Sequence, residues 1–223
     1  MSQVGDRIMK YRAELEPAGV ELVAVSKFHP VEKLRQAYDA GQRCFGESRQ
    51  AELLNKIGQL PDNISWHFIG HLQTNKVRSL IGKVDLIESV DSVRLLDLID
   101  RESERAGVVS RVLMQVHVAA EETKTGFTVD ELLDYFRNRL FETLKAVHIC
   151  GIMGMASNTD DTERIESDFK TIAETRRKIL ELCPDLRGFD IVSMGMSGDY
   201  KIAVSAGSTH VRIGTDIFGE REY

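Results

Sequence analysis

The chain is short of the features that mark specialised proteins. Its 223 residues contain no apolar run approaching the ~20 that a membrane span needs. The three cysteines, Cys44, Cys150 and Cys183, are far apart and form no CxxC pair, which fits neither a disulfide framework nor a zinc site. Lys and Arg number 29 against 35 Asp and Glu, a formal net charge of -6, and no basic cluster is present. A dedicated nucleic-acid surface is therefore not expected. The opening MSQVGDRIMKYRAELEP is charged throughout and has no apolar core of a secretory signal, so a cytoplasmic protein is expected. With only four prolines and no low-complexity or linker-like stretch, no domain boundary is visible. One domain over residues 1–223 is expected, and no readable apolar patch argues against a monomer.

What is present is alternation. Runs rich in β-branched and apolar residues cover 22–27, 43–48, 65–70, 84–89, 111–118, 146–153, 189–195 and 210–215. Several are apolar almost continuously, as strands covered on both faces must be. Helical patterns lie between them. Val31, Leu34, Ala37, Tyr38 and Gly41 keep one face, with Pro30 suited to the first turn. Thr128 and Glu131 have capping-box spacing ahead of Leu132, Leu133 and Phe136. Ile165, Phe169, Ile172, Ala173, Ile179 and Leu180 mark a long helix. Eight strand–helix units predict an α/β fold, a single (β/α)8 TIM barrel, with an extra N-terminal helix over 3–15. A doubly wound open sheet with fewer strands is the other reading.

Barrel enzymes place their sites where strands end. The first run ends in Lys27. The second ends in Gly46-Glu47-Ser48, the seventh in SMGMSGD (193–199) and the eighth in VRIGTDIFG (211–219). Gly195 and Gly198 allow tight turns and close approach of a ligand, and Ser197 adds a hydroxyl where a helix begins. Loops after strands 7 and 8 commonly hold phosphate in this fold. A phosphate site together with a strand-borne lysine suggests a phosphorylated aldehyde held as a Schiff base. Blander readings stand beside this one. A lysine at a strand end by default reaches out to water, and a glycine-rich turn is by default only a turn. Arg212, inside a strand, needs partners if buried. His67, His71 and His117 lack ligand spacing, so no metal is expected. Met153, Met155, Met194 and Met196 and the cysteines read as packing. The acidic stretch 158–168 reads as a solvated helix start.

Seven motifs then bear a resemblance: AVSKFHP (24–30), AGQRCFGES (40–48), WHFIGHLQTNK (66–76), SVD (89–91), KTG (124–126), SMGMSGD (193–199) and GSTHVRIGTDIFG (207–219). In this order, over nearly the whole chain, they resemble the pyridoxal phosphate homeostasis proteins, which are similar to the N-terminal barrel of bacterial alanine racemases. The resemblance implies that Lys27 holds pyridoxal 5′-phosphate (PLP) as a Schiff base. It implies that Ser197, with the backbone near Gly214 and Thr215, holds the phosphate. Arg212 matches the arginine facing the pyridine nitrogen, and Met194 and Ser48 are expected near the cofactor. A permanent cation at that nitrogen disfavours its protonation and so weakens the ring as an electron sink. Two positions depart from the family pattern, which usually has asparagine at Ser48 and at His117. The N-terminal helix is also shorter than the family's usual one. The implied function is a PLP carrier that passes cofactor to apo-PLP enzymes with little or no catalysis. The alternative is an alanine-racemase-type enzyme. Such racemases draw a second base, a tyrosine, from a further domain and a partner subunit, and a chain ending at Tyr223 is not expected to supply that domain.

Overall fold

The computed structural model describes residues 2–119 and 125–220. Lys124 of the KTG triplet and Tyr223 lie outside the described residues. Among the described residues eight parallel strands close into a barrel in sequence order. They are β1 (Glu21–Val25), β2 (Cys44–Glu47), β3 (Ser65–Phe68), β4 (Leu86–Val90), β5 (Ser110–His117), β6 (Val147–Met155), β7 (Ile191–Met196) and β8 (His210–Ile213). β8 pairs with β1 in the register Val211 to Leu22 and Arg212 to Val23, which closes the ring. The open-sheet alternative is thereby set aside.

Helices wrap the barrel: α1 (Gln3–Leu15), α2 (Val31–Asp39), α3 (Gln50–Ile57), α4 (Val77–Leu80), α5 (Val93–Ala106), α6 (Val129–Arg137), α7 (Thr162–Leu182), α8 (Tyr200–Ser205) and α9 (Thr215–Phe218). Their ends follow local chemistry. Ser92 caps α5 by accepting from Leu95 N–H, and Gly107 ends it in the left-handed conformation. The Thr128–Glu131 capping box forms at α6. Asp161 caps α7 by accepting from the N–H groups of Glu163 and Arg164, and the acidic residues of the stretch are exposed around the start of that helix except Asp168, which is buried and accepts the Ser157 N–H. Pro30, expected within the first turn of α2, is instead its N-cap.

Strand alternation divides the side chains into two sets. Leu22, Ala24, Phe45, Trp66, Phe68 and Ile87 belong to the large cluster between barrel and helices. Leu86, Leu113, Cys150, Met153 and Ile191 form a small cluster of their own. The inner wall also carries polar groups, described below. The N-terminal helix spans the residues the sequence predicts. Its Val4, Ile8, Tyr11 and Leu15, spaced for one helical face, are buried. α1 also fastens the two short helices after β7 and β8. The Tyr11 hydroxyl donates to Asp216 at 2.7 Å, the Tyr200 hydroxyl donates to Glu14 at 2.9 Å, and the two rings meet edge-on at 5.5 Å.

Five strands end earlier than the expected runs, whereas β4, β6 and β7 continue one or two residues past theirs, to Val90, Met155 and Met196. β1 stops at Val25 rather than at residue 27, β3 at Phe68 and β8 at Ile213. The last residues of the first, third and eighth runs leave the strands for loops at the same end of the barrel. Lys27 is therefore carried on a turn just past its strand.

Docking of α1 is a measurable property. Ile8 is fully buried. Ile8→Ala is expected to lower the free energy of urea unfolding by about 2–5 kcal/mol. A loss well below that range would show that α1 is not packed on the barrel.

Candidate functional site

At the end of the barrel where the strands stop lies a cavity of about 290 Å³. Lys27, Ser197, Arg212, Gly214 and Thr215 line it together, brought from the ends of β1, β7 and β8. Ligand pockets in proteins are typically of about this size or larger. Val25 and Ile69 supply apolar wall.

Lys27 follows the inward parity of β1. Val25 lines the cavity, Ser26 faces the opposite way to bond Glu47, and Lys27 faces the cavity again. Immediately after Lys27 the chain turns. The N–H of His29 donates to the carbonyl of Ser26 at 3.1 Å, and Phe28 has a φ of 66°. An aromatic residue in the left-handed region costs about 1–3 kcal/mol and persists only where its surroundings impose it. The Arg49 guanidinium lies over the Phe28 ring, 4.3 Å from its centre.

Arg212 enters the cavity from inside the barrel, where it is 5% exposed. Its guanidinium donates to the Ser193 hydroxyl at 2.6 Å and to the Gly154 carbonyl at 3.0 Å. Ser193 in turn donates to Glu88 Oε2 at 2.6 Å, and the His67 Nδ1–H donates to Glu88 Oε1 at 2.7 Å. Glu88 Oε2 also lies 3.8 Å from the guanidinium. His67 stacks on His210 with ring centres 6.0 Å apart. The inner wall thus carries a continuous chain of charge-assisted bonds running Arg212–Ser193–Glu88–His67. Burial pushes the Glu88 carboxyl up. The His67 bond and charge, the Arg212 cation and the Ser193 hydroxyl outweigh burial and hold it at about 2. Burial pulls His210 down to about 4, with Glu88 opposing. Burial likewise lowers Arg212 from its ordinary value, against the pull of Glu88 and Asp199. At neutral pH Glu88 is therefore an anion and His210 is neutral.

The glycine-rich end of β7 is shaped for closeness. Gly195 has a φ of 95°, and a Cβ there would lie 2.5 Å from that of Ala203 and 3.0 Å from Tyr200 Cα. This keeps α8 tight against β7 and puts Ser197 and Gly198 on the cavity rim. Two expected neighbours of the cavity lie elsewhere. Met194 alternates with the inward Ser193, so it is fully buried in the cluster between barrel and helices and does not line the cavity. Met155 and Met196, read from sequence as packing, line it instead. Ser48 is half-buried at the end of β2 and also does not line it. Its backbone packs on Gly70, where a Cβ would come within 2.3 Å of the Ser48 carbonyl oxygen. His117 is half-buried at the end of β5, its N–H donating to the Phe127 carbonyl, and it is not a lining residue. Sequence reading set His67 aside as a metal ligand and gave neither it nor Glu88 a place in the site. The available signal was a polar residue in a strand expected to be covered on both faces, His67 between Trp66 and Phe68 and Glu88 directly after Leu86 and Ile87. Among the described residues no group of three or more His, Cys, Asp or Glu side chains could hold a metal ion, and no helix is long and apolar enough to cross a membrane.

Comparison with known proteins gives a consistent picture. The family model for the alanine racemase N-terminal domain matches residues 2–222. The chain is 37% identical to the pyridoxal phosphate homeostasis protein of Aquifex aeolicus, covering all of this chain and 97% of that one. It is 38% identical to the protein of the same name from Schizosaccharomyces pombe, over 91% of this chain and 84% of the other. Among solved structures, PipY of Synechococcus elongatus with PLP bound superposes with a TM-score of 0.88 at 33% identity, covering 97% of this chain and 100% of that one. Alanine racemase from Streptomyces lavendulae shares the fold, with a TM-score of 0.76 at 15% identity over 97% of this chain and 56% of the racemase.

The Glu88 chain has a pH signature. Its folded-state carboxyl at about 2 lies below the ordinary 4.5. Its contribution to stability is complete above the ordinary value and is lost as pH falls toward the folded one. Glu88→Gln is expected to cost about 3–5 kcal/mol at neutral pH, because it leaves Arg212 without its buried countercharge. Followed by urea midpoint on acidification, wild type should then lose more stability below about pH 4.5 than the variant does. Parallel curves for the two proteins would contradict the assignment.

Proposed function

The chain belongs to the pyridoxal phosphate homeostasis protein family, and we propose that it carries PLP reversibly on Lys27 as a single-domain buffer of the cofactor rather than as an enzyme. The observation that carries this reading is the convergence of Lys27, Ser197, Arg212 and Thr215 in one cavity, in a chain whose relative PipY has been crystallised with PLP bound.

The residues present fit such a group. PLP supplies an aldehyde, which condenses with an amine as a C=N bond forms and the carbonyl oxygen leaves as water, and a phosphate dianion. Lys27 provides the amine from the β1 side of the cavity. Ser197 and Thr215 provide hydroxyls, and the loops entering α8 and α9 present backbone N–H groups favourable to an anion. Val25, Ile69 and Met155 offer apolar surface for a ring. Arg212, fixed by Ser193 and the Gly154 carbonyl, presents a permanent cation to the cavity. A cation there would disfavour protonation of a pyridine nitrogen and thus carbanion chemistry. This supports a carrier role over racemisation, which also wants two bases on opposite faces of a substrate carbon. None of the described tyrosines lines the cavity. Release of the cofactor to apo-PLP enzymes, action as a monomer and residence in the cytoplasm complete the proposal.

Absorbance tests it. Purified protein titrated with PLP is expected to develop a visible band that Lys27→Ala abolishes. An unshifted spectrum, or the same band in Lys27→Ala, would overturn the assignment. Exchange of an amino acid's α-proton for solvent deuterium at saturating PLP is expected to stay at the level of free PLP. Exchange well above that level, lost in Lys27→Ala, would favour the enzyme.

A further inference from the structure

The two peptide groups that flank Lys27 are held by one buried charged cluster outside the cavity. The Lys56 ammonium, on the inner face of α3, is 3% exposed. It donates to the Ser26 carbonyl at 2.8 Å, to Glu47 Oε1 at 2.7 Å and to Glu52 Oε1 at 2.7 Å. An ammonium has three protons, and these three acceptors match them one for one. Glu52 Oε1 also accepts the N–H of Phe28 at 2.6 Å. Ser26 Oγ donates to Glu47 Oε1 at 2.6 Å. One side of Lys27 is therefore anchored through the Ser26 carbonyl and the other through the Phe28 amide, both to the same Glu52–Lys56 pair, one helical turn apart on α3. Lys27 sits between these anchors, and the left-handed Phe28 carries the second of them, in a turn closed by the His29 N–H on the same Ser26 carbonyl.

We propose that Lys56 and Glu52 are positioning residues for Lys27: by gripping Ser26 and Phe28 they impose the left-handed turn that aims the Lys27 amine into the cavity. The inference rests on the reading of Lys27 as the site of PLP attachment. Neither residue touches the cavity. Lys56 is a fully satisfied buried cation, and Glu52, with a side chain 20% exposed, is the accessible half of the pair. The Glu47 carboxylate places all its bonds on one oxygen. Its other oxygen, Oε2, is buried and accepts no hydrogen bond.

The test combines two readouts on the full chain. The first is the rate of covalent PLP attachment, followed by growth of the visible band with PLP in excess. The second is amide hydrogen exchange over residues 26–29 in protein free of PLP. Glu52→Ala is expected to slow attachment about tenfold and to speed exchange at Phe28. Glycine takes a positive φ without strain whereas alanine does not. Phe28→Gly in the Glu52→Ala background should therefore restore the rate to within about twofold of wild type, and Phe28→Ala should not. Lys56→Met should behave as Glu52→Ala; if it fails to fold, the partly exposed Glu52 decides the matter alone. Attachment and exchange at wild-type rates in folded Glu52→Ala would overturn the proposal, as would equal rescue by glycine and alanine. A wild-type chain that forms no visible band would overturn the attachment reading instead, while faster exchange at Phe28 in Glu52→Ala would still support the turn assignment.

Discussion

A closed parallel barrel has no wet face. Each polar side chain on its inner wall must be paired there or open into a cavity. This constraint organises the molecule. Arg212 could not sit inside β8 without a countercharge, and Glu88 supplies it from across the barrel, 3.8 Å away, through Ser193. Glu88 in turn is held as an anion by His67. The chain leaves the guanidinium immobile at the floor of the cavity. Its position is fixed before any ligand arrives, so little ordering remains to be done on binding.

The same alternation that sends Arg212 inward sends Ser26 outward and Lys27 inward past the end of β1. Each face of the β1 extension therefore has its own charged system. Inside, Arg212 and the loops after β7 and β8 meet Lys27. Outside, the Glu52–Lys56 pair holds the peptide groups beside it. α1 joins in by bracing the elements after β7 and β8 through Tyr11–Asp216 and Tyr200–Glu14. These three systems together frame one compact cavity.

Much of this was legible in the sequence. The eight runs marked the eight strands because a parallel barrel demands apolar residues at almost every strand position. The N-terminal helix and the Thr128–Glu131 box were readable because both depend on local spacing. Arg212 was marked as needing partners, and the glycine-rich ends of β7 and β8 pointed to the cavity. What escaped depended on parity and on contacts between distant segments. Met194 and Ser193 are adjacent, and only the phase of β7 decides which faces in. Glu88 and Ser193 are 105 residues apart, and the barrel closes that gap. Nothing in the letters FH after Lys27 marks a left-handed phenylalanine, because its cause lies on α3. Strand ends were overrun for a related reason. Lys27 keeps the alternation of its run, and Thr215 begins α9, after their backbones have already left the ladder.

The central claim is that one lysine among many is the point of cofactor attachment. Borohydride reduction of the PLP-loaded protein, followed by peptide mass mapping, addresses it directly. The account predicts one stoichiometric phosphopyridoxyl label, on Lys27. Label spread over surface lysines, or concentrated on any lysine other than Lys27, would contradict it.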